Sequence, residues 1–67
     1  MLPVGRLSDR ELEIVKKIAA GHSTRDIAKM LFISPNTVQT HRKNIMRKMK
    51  ARNCISVVST CMKLNWI

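Results

Sequence analysis

The chain has 67 residues, 45% of them hydrophobic, and its 13 Lys and Arg against 4 Asp and Glu give a formal net charge of +9. A chain this short forms one domain at most and cannot easily enclose a deep substrate pocket, so a surface-binding role is favoured over catalysis. All four acids (Asp9, Glu11, Glu13, Asp26) precede Ile27, while eight bases and no acid follow it, an electropositive half that attracts nucleic acid or an anionic membrane surface.

Residues 1–6 read as a linker or chain start, and residues 7–67 as the domain. Ser8 and Glu11 have the S-x-x-E spacing of a capping box, with Leu7 placed to staple onto Leu12. Ile14, Val15, Ile18 and Ala19 then recur at helical spacing, and Gly21 suits a left-handed cap, so the first helix spans about residues 8–20. Ser23 or Thr24 caps a second, short helix over about 24–31, whose buried face is Ile27, Ala28 and Leu31. Phe32 and Ile33 read as an apolar connector, with Phe32 in the core. Ser34-Pro35 is an N-cap followed by proline at the first helical position, opening a third helix over about 35–50. Asn53 is a candidate cap for a fourth, over about 53–64. No segment alternates with period two, so the expected fold class is all-α, a four-helix bundle containing a helix-turn-helix.

The spacing around Ala28, Leu31, Ile33 and Val38 is that of two helices closing a corner, the first bracing and the second entering a DNA groove. With Val38 at zero and an advance of about 100° per residue, Ile45 and Met49 join it in a buried stripe. Opposite lie Gln39, Lys43, Asn36, Arg47 and Thr40, between about 100° and about 200°. Lys can bond guanine O6 and N7, Gln and Asn can pair with adenine, and a Thr methyl can meet a thymine methyl. Asn36, Gln39, Thr40 and Lys43 are therefore the candidate base-reading residues. Ser34 and Thr37 at the helix start, His41 and Lys48 on one shoulder, and Arg47 are candidate phosphate contacts. Arg42, at about 40°, has a stem placed over the core and a head directed to the phosphates. An ordinary solvated face mixes charge signs to gain i,i+4 pairs, and this one gains none.

On the fourth helix Leu64, Val57, Cys61, Cys54, Val58, Ile55 and Met62 cover about 180°, although a stripe about 100° wide suffices to dock a helix. The surplus belongs either to a partner helix or to deeper burial in a very small domain. The candidate dimerisation residues are Cys54, Ile55, Val58, Cys61 and Met62.

Cys54 and Cys61 are seven residues apart, about 10 Å along one helix, too far for a disulfide. Free thiols point to a reducing compartment, hence the cytoplasm. His22 and His41 lack zinc-ligand spacing, no Ser/His/Asp or Cys/His arrangement suggests a catalytic centre, and no cofactor, metal or membrane partner is expected.

The run Leu7-Ser8-Asp9-Arg10-Glu11, then Gly21, Ile27-Ala28, Ile33-Ser34-Pro35-Asn36-Thr37-Val38, His41, Asn44-Ile45 and Lys48-Met49 resembles the LuxR-type (NarL/FixJ, GerE-like) helix-turn-helix family over about Leu7 to Val58. The resemblance implies a four-helix effector domain of a bacterial transcription regulator, of the response-regulator kind, that binds double-stranded DNA as a homodimer. It implies Gln39, Thr40 and Lys43 as base-facing residues. Family members often carry Gly where this chain has Lys50, Arg where it has Cys54 and Ala where it has Val57. A sigma-factor region 4 also resembles Leu7 to Met49, with RNA polymerase as a candidate partner, but the apolar fourth helix favours the LuxR type. An RNA-binding module would stack bases on aromatic side chains, and only Phe32 and Trp66 are present.

Overall fold

The computed structural model describes residues 6–67, so the expected linker lies, apart from Arg6, outside the described residues. Four helices follow in order: α1 Asp9–Ala19, α2 Thr24–Leu31, α3 Pro35–Met49 and α4 Cys54–Lys63, with no strand among the described residues. Three are slightly shorter than the spans read from sequence, because Ser8, Ala20, Lys50, Asn53 and Leu64 are caps.

The starts are set by side chains that satisfy the free N–H groups of a helical first turn. Ser8 Oγ accepts from the Glu11 N–H at 3.2 Å while Glu11 Oε1 accepts from the Ser8 N–H at 2.8 Å. Ser23 and Asp26 make the same reciprocal pair at 3.1 and 3.3 Å. Ser34 Oγ caps α3 at the Thr37 N–H (3.1 Å), with Pro35 in the first turn, and Asn53 Oδ1 caps α4 at the Ser56 N–H (2.8 Å).

The ends share one device. His22, Ile33, Ala51 and Trp66 each donate a backbone N–H to the carbonyl five residues back, at 2.8–3.1 Å, and the residue before each is left-handed. Those left-handed residues are Gly21 (φ 94°), Phe32 (φ 58°), Lys50 (φ 52°) and Asn65 (φ 59°). Only glycine is free of steric cost there; Phe and Lys are strained. The pairs that close the last three turns, Ala28 with Ile33, Met46 with Ala51 and Cys61 with Trp66, all belong to or pack on the core. That burial offsets the strain.

Phe32 departs from the core position expected of it and is 94% exposed. A left-handed residue between two closely packed helices points its side chain outward, and Ile33 supplies the inward anchor instead.

The core lies where all four helices meet. Ile14 and Val15 of α1, Ile27 and Ala28 of α2, Val38, Ile45 and Met49 of α3, and Val57 and Cys61 of α4 are buried with Leu7. Each fully buried Ile or Val contributes roughly 1.5–3 kcal/mol relative to exposure. Leu12 and Trp66 pack on this core and line, with Leu7, a small cleft where the C-terminus meets the start of α1. α3 contacts each of the other three helices, whereas α2 and α4 do not touch. α1 likewise contacts the other three, so α1 and α3 together form the centre of the bundle.

One ion pair crosses the bundle. Lys48 Nζ donates to Glu11 Oε1 at 2.8 Å, and the Glu11 side chain is only 6% exposed. Burial pushes the Glu11 carboxyl upward, but bonds from Lys48 and the Ser8 N–H, with the Lys48 charge, outweigh it and hold the group below its ordinary value. The same carboxylate caps α1 and fastens α3.

Both the left-handed caps and the ion pair can be probed by substitution. Lys50→Gly removes a left-handed strain of about 1–2 kcal/mol, partly offset by the greater unfolded-state freedom of glycine. The net gain is about 0.5–1 kcal/mol, a melting temperature higher by several degrees in thermal circular dichroism. Lys48→Met leaves Glu11 buried without its cation and lowers stability by about 1–3 kcal/mol, towards the low end because Lys48 is partly solvated. Because Glu11 titrates lower in the folded chain than in the unfolded one, its contribution is complete above the ordinary glutamate value of about 4.3 and is lost as pH falls through the folded value. Urea midpoints should therefore drop on acidification below about pH 4.3 and drop less in Glu11→Gln.

Candidate nucleic-acid interface

α3 presents two faces because only one side of it is apolar. Val38, Ile45 and Met49 are buried, and across the helix Asn36, Gln39, Thr40, Lys43 and Arg47 are all exposed. Among the described residues, no protein hydrogen bond engages the side chains of Gln39 or Lys43. Thr40 Oγ1 donates to the Asn36 carbonyl oxygen at 3.1 Å, so the hydroxyl is committed to the helix and the methyl is the group left to present. Arg47 Nη2 donates to Asn44 Oδ1 at 2.9 Å, which steadies the guanidinium on the exposed side.

The start of the helix is electropositive for a further reason. α1 and α2 carry acids in their first turns, Asp9 and Glu11 in one and Asp26 in the other, whereas the first turn of α3 has none. As in α4, no acid of its own first turn offsets the positive end of the α3 dipole. Ser34 and Thr37 sit there, exposed, with their hydroxyls 2.9 Å apart. His41 is half-buried on the shoulder. Lys50 and Arg52, exposed in the connection to α4, add charge beyond the far end of α3.

The structure departs from the sequence-based expectation at three residues. Arg42, expected at the phosphates, turns inward: Nη1 donates to Thr24 Oγ1 at 2.6 Å and Nη2 to Cys54 Sγ at 3.1 Å. Lys48, also expected at the phosphates, is held by Glu11, because a buried carboxylate needs a cation more than a solvated helix face does. Cys61, expected on a dimer face, is fully buried, and that burial pushes its thiol upward. Thr24 and Glu11 as partners of α3 had no signal in the sequence, since they stand 18 and 37 residues from the bases they hold.

The remaining apolar residues of α4 form a separate surface. Ile55 is 81% and Met62 60% exposed, and with Val58, Ser59 and the α1 residues Ile18 and Ala19 they wall an open groove of about 370 Å³. Cys54, a free thiol, stands at its edge, between the groove and Arg42. Among the described residues no helix is long and apolar enough to cross a membrane, and no three His, Cys, Asp or Glu side chains cluster as a metal site would require.

Comparison with known proteins accounts for this arrangement. The chain is 41% identical over 61 residues to the oxygen regulatory protein NreC of Staphylococcus epidermidis, covering 91% of this chain and 28% of that protein. It is 39% identical over 59 residues to the response regulatory protein YgeK of Escherichia coli K12 (88% and 40%). Among solved structures, the response regulator ChrA of a heme-sensing two-component system superposes with a TM-score of 0.88 at 35% identity, over 98% of this chain and 33% of that one. Escherichia coli SdiA gives a TM-score of 0.85 at 39% identity, over 92% and 26%. The chain therefore spans well under half the length of these proteins. Residues 5–61 match the luxR family of bacterial regulatory proteins, and the chain belongs to that family as its DNA-binding helix-turn-helix domain.

Proposed function

We propose that this chain reads a specific sequence of double-stranded DNA as the effector domain of a cytoplasmic transcriptional regulator of the response-regulator kind. The observation that carries this reading is the outward face of α3, fully exposed and free of acid, with Gln39 and Lys43 unengaged one helical turn apart. That face fits the major groove, about 12 Å wide. Asn36, Gln39, Thr40 and Lys43 then meet base edges, with the Thr40 methyl suited to a thymine methyl. Ser34, Thr37, His41 and Arg47 meet phosphates, assisted by the uncompensated dipole of α3. The response regulators among the relatives support the regulatory role.

The groove on α4 supports binding as a homodimer, since Ile55, Val58 and Met62 place apolar surface where a second copy of α4 can cover it. Two copies related by a two-fold axis would read two half-sites in opposite orientation.

Four outcomes test the reading. Selection from a random duplex library should yield a preferred site, and Gln39→Ala or Lys43→Ala should relax preference at one or two adjacent base pairs per half-site, at about 1–3 kcal/mol each, with little change in melting temperature. Thr40→Val, which keeps the methyl, should retain any thymine preference that Thr40→Ser loses. Arg47→Ala should weaken binding to all duplexes alike and shallow the slope of log affinity against log salt by about 0.9. Ile55→Asp, at an exposed position that leaves the core intact, should abolish cooperative loading of two copies on a palindrome while half-site binding persists. Binding profiles unchanged at every base position in the Gln39, Lys43 and Thr40 variants would remove α3 from the groove.

A further inference from the structure

Arg42 sits on the helix proposed to read DNA yet faces away from its reading surface, and both terminal nitrogens of its guanidinium bond neighbouring helices. Nη1 is 2.6 Å from Thr24 Oγ1, and Nη2 is 3.1 Å from Cys54 Sγ. Thr24 is the first residue of α2 and Cys54 the first of α4. One planar fork from the middle of α3 therefore holds the starting turns of two helices that do not otherwise touch. The contact to Thr24 is short, as charge-assisted bonds are, and both bonds are partly screened from water.

We infer that Arg42 is a positioning residue for sequence discrimination: it fixes the rotation of α3 between α2 and α4 and acts on base reading without touching DNA. This rests on the proposed reading of DNA by α3. Gln39 is three residues before Arg42 and Lys43 one after it, so a rotation of α3 at this point moves both. With outer side chains roughly 6 Å from the helix axis, a turn of about 10° displaces them by about 1 Å. A hydrogen bond to a base edge does not survive such a shift, whereas attraction to phosphates falls off far more gently. The apolar packing of Val38, Ile45, Met49 and the half-buried Met46 acts through non-directional contacts. The fork supplies two directional bonds from one rigid group, one to each neighbour.

The opposing assignment, Arg42 as a phosphate ligand, has the guanidinium bond DNA through its remaining N–H groups or by leaving both partners. The two assignments separate experimentally, because Thr24 and Cys54 carry no charge for a phosphate. The parent chain, Arg42→Lys, Arg42→Gln, Thr24→Val, Thr24→Ser and Cys54→Ala are titrated onto a selected duplex and a scrambled one over a range of salt, with circular dichroism on each variant. A positioning role lowers the ratio of specific to non-specific affinity roughly fivefold to tenfold in Arg42→Lys, which keeps the charge but loses the fork. The ratio falls in Thr24→Val and Cys54→Ala too, is restored in Thr24→Ser, and the salt slope stays at the parent value in these four variants. A slope shallower by about 0.9 in Arg42→Gln, with parental discrimination in Thr24→Val and Cys54→Ala, makes Arg42 a phosphate ligand and overturns the inference. Thr24→Val is close to isosteric and carries the test even where an Arg42 variant loses its fold. A parent that prefers no duplex fails the reading of DNA itself; a parent that discriminates, with every variant alike, fails only the role of Arg42.

Discussion

The constraint on which this fold turns is that one helix, α3, must serve the core with one side and present an exposed polar face with the other. α3 meets that constraint by confining its fully buried stripe to Val38, Ile45 and Met49, flanked by half-buried residues, which leaves the opposite side exposed. Apolar contact is non-directional, and the polar contacts at the two edges of the stripe add a directional restraint. Arg42 on one edge bonds Thr24 and Cys54, and Lys48 on the other bonds Glu11. Among the described residues these are the side-chain hydrogen bonds that join different helices, and every one starts from a base on α3. Each neighbouring helix is thereby tied to α3 by one bond, in addition to apolar packing.

The connections between helices serve the same constraint. Every helix begins on a side-chain cap and is followed by a left-handed residue, so the connections carry little slack. Between α2 and α3 only Phe32, Ile33 and Ser34 intervene. Phe32 makes the left-handed turn, Ile33 anchors the corner in the core, and Ser34 caps α3. A corner this short sets the angle between the bracing helix and the reading helix by covalent geometry. Phe at the left-handed position is a local cost, tolerated because the Ile33 anchor and the Ser34 cap on either side leave the turn no other conformation.

What is legible in the sequence is what is local. Ser8 with Glu11, Ser23 with Asp26, Ser34 with Thr37 and Asn53 with Ser56 are spaced by three, so the helix starts can be read from neighbouring residues. The core face of α3 and its exposed face are legible for the same reason, since helical periodicity sorts them. Phe32 is misread because hydropathy says nothing of backbone handedness. The fourth helix is half legible: its wide apolar arc divides into a part turned to the core, Val57 and Cys61, and a part turned outward, Met62 and Ile55, with Val58 half-buried between them. A helical wheel gives the width of such an arc and not the angle at which the bundle cuts it, so it places Cys61 on the wrong side. Arg42 and Lys48 escape a sequence reading because their partners lie 12 to 37 residues away, and only the tertiary fold brings them within reach.

The distribution of charge separates the two demands on a DNA-binding surface, attraction and discrimination. Three of the four acids act where they stand: Glu11 caps α1 and holds Lys48, Asp26 caps α2, and Glu13 pairs with Arg10. None of these pairs involves a residue of the exposed side of α3, and that side carries no acid of its own. On that side the charged groups, Lys43 and Arg47, stand among uncharged ones, Asn36, Gln39 and Thr40. Charge draws in any duplex, because every duplex carries the same phosphates, whereas amides and a methyl group gain only where the base edge matches. In the proposed complex, affinity and discrimination therefore rest on different chemical groups of one face. Discrimination depends on angle and affinity mainly on distance, which is why a domain this small commits two of its thirteen bases to holding the helix rather than to attracting the ligand.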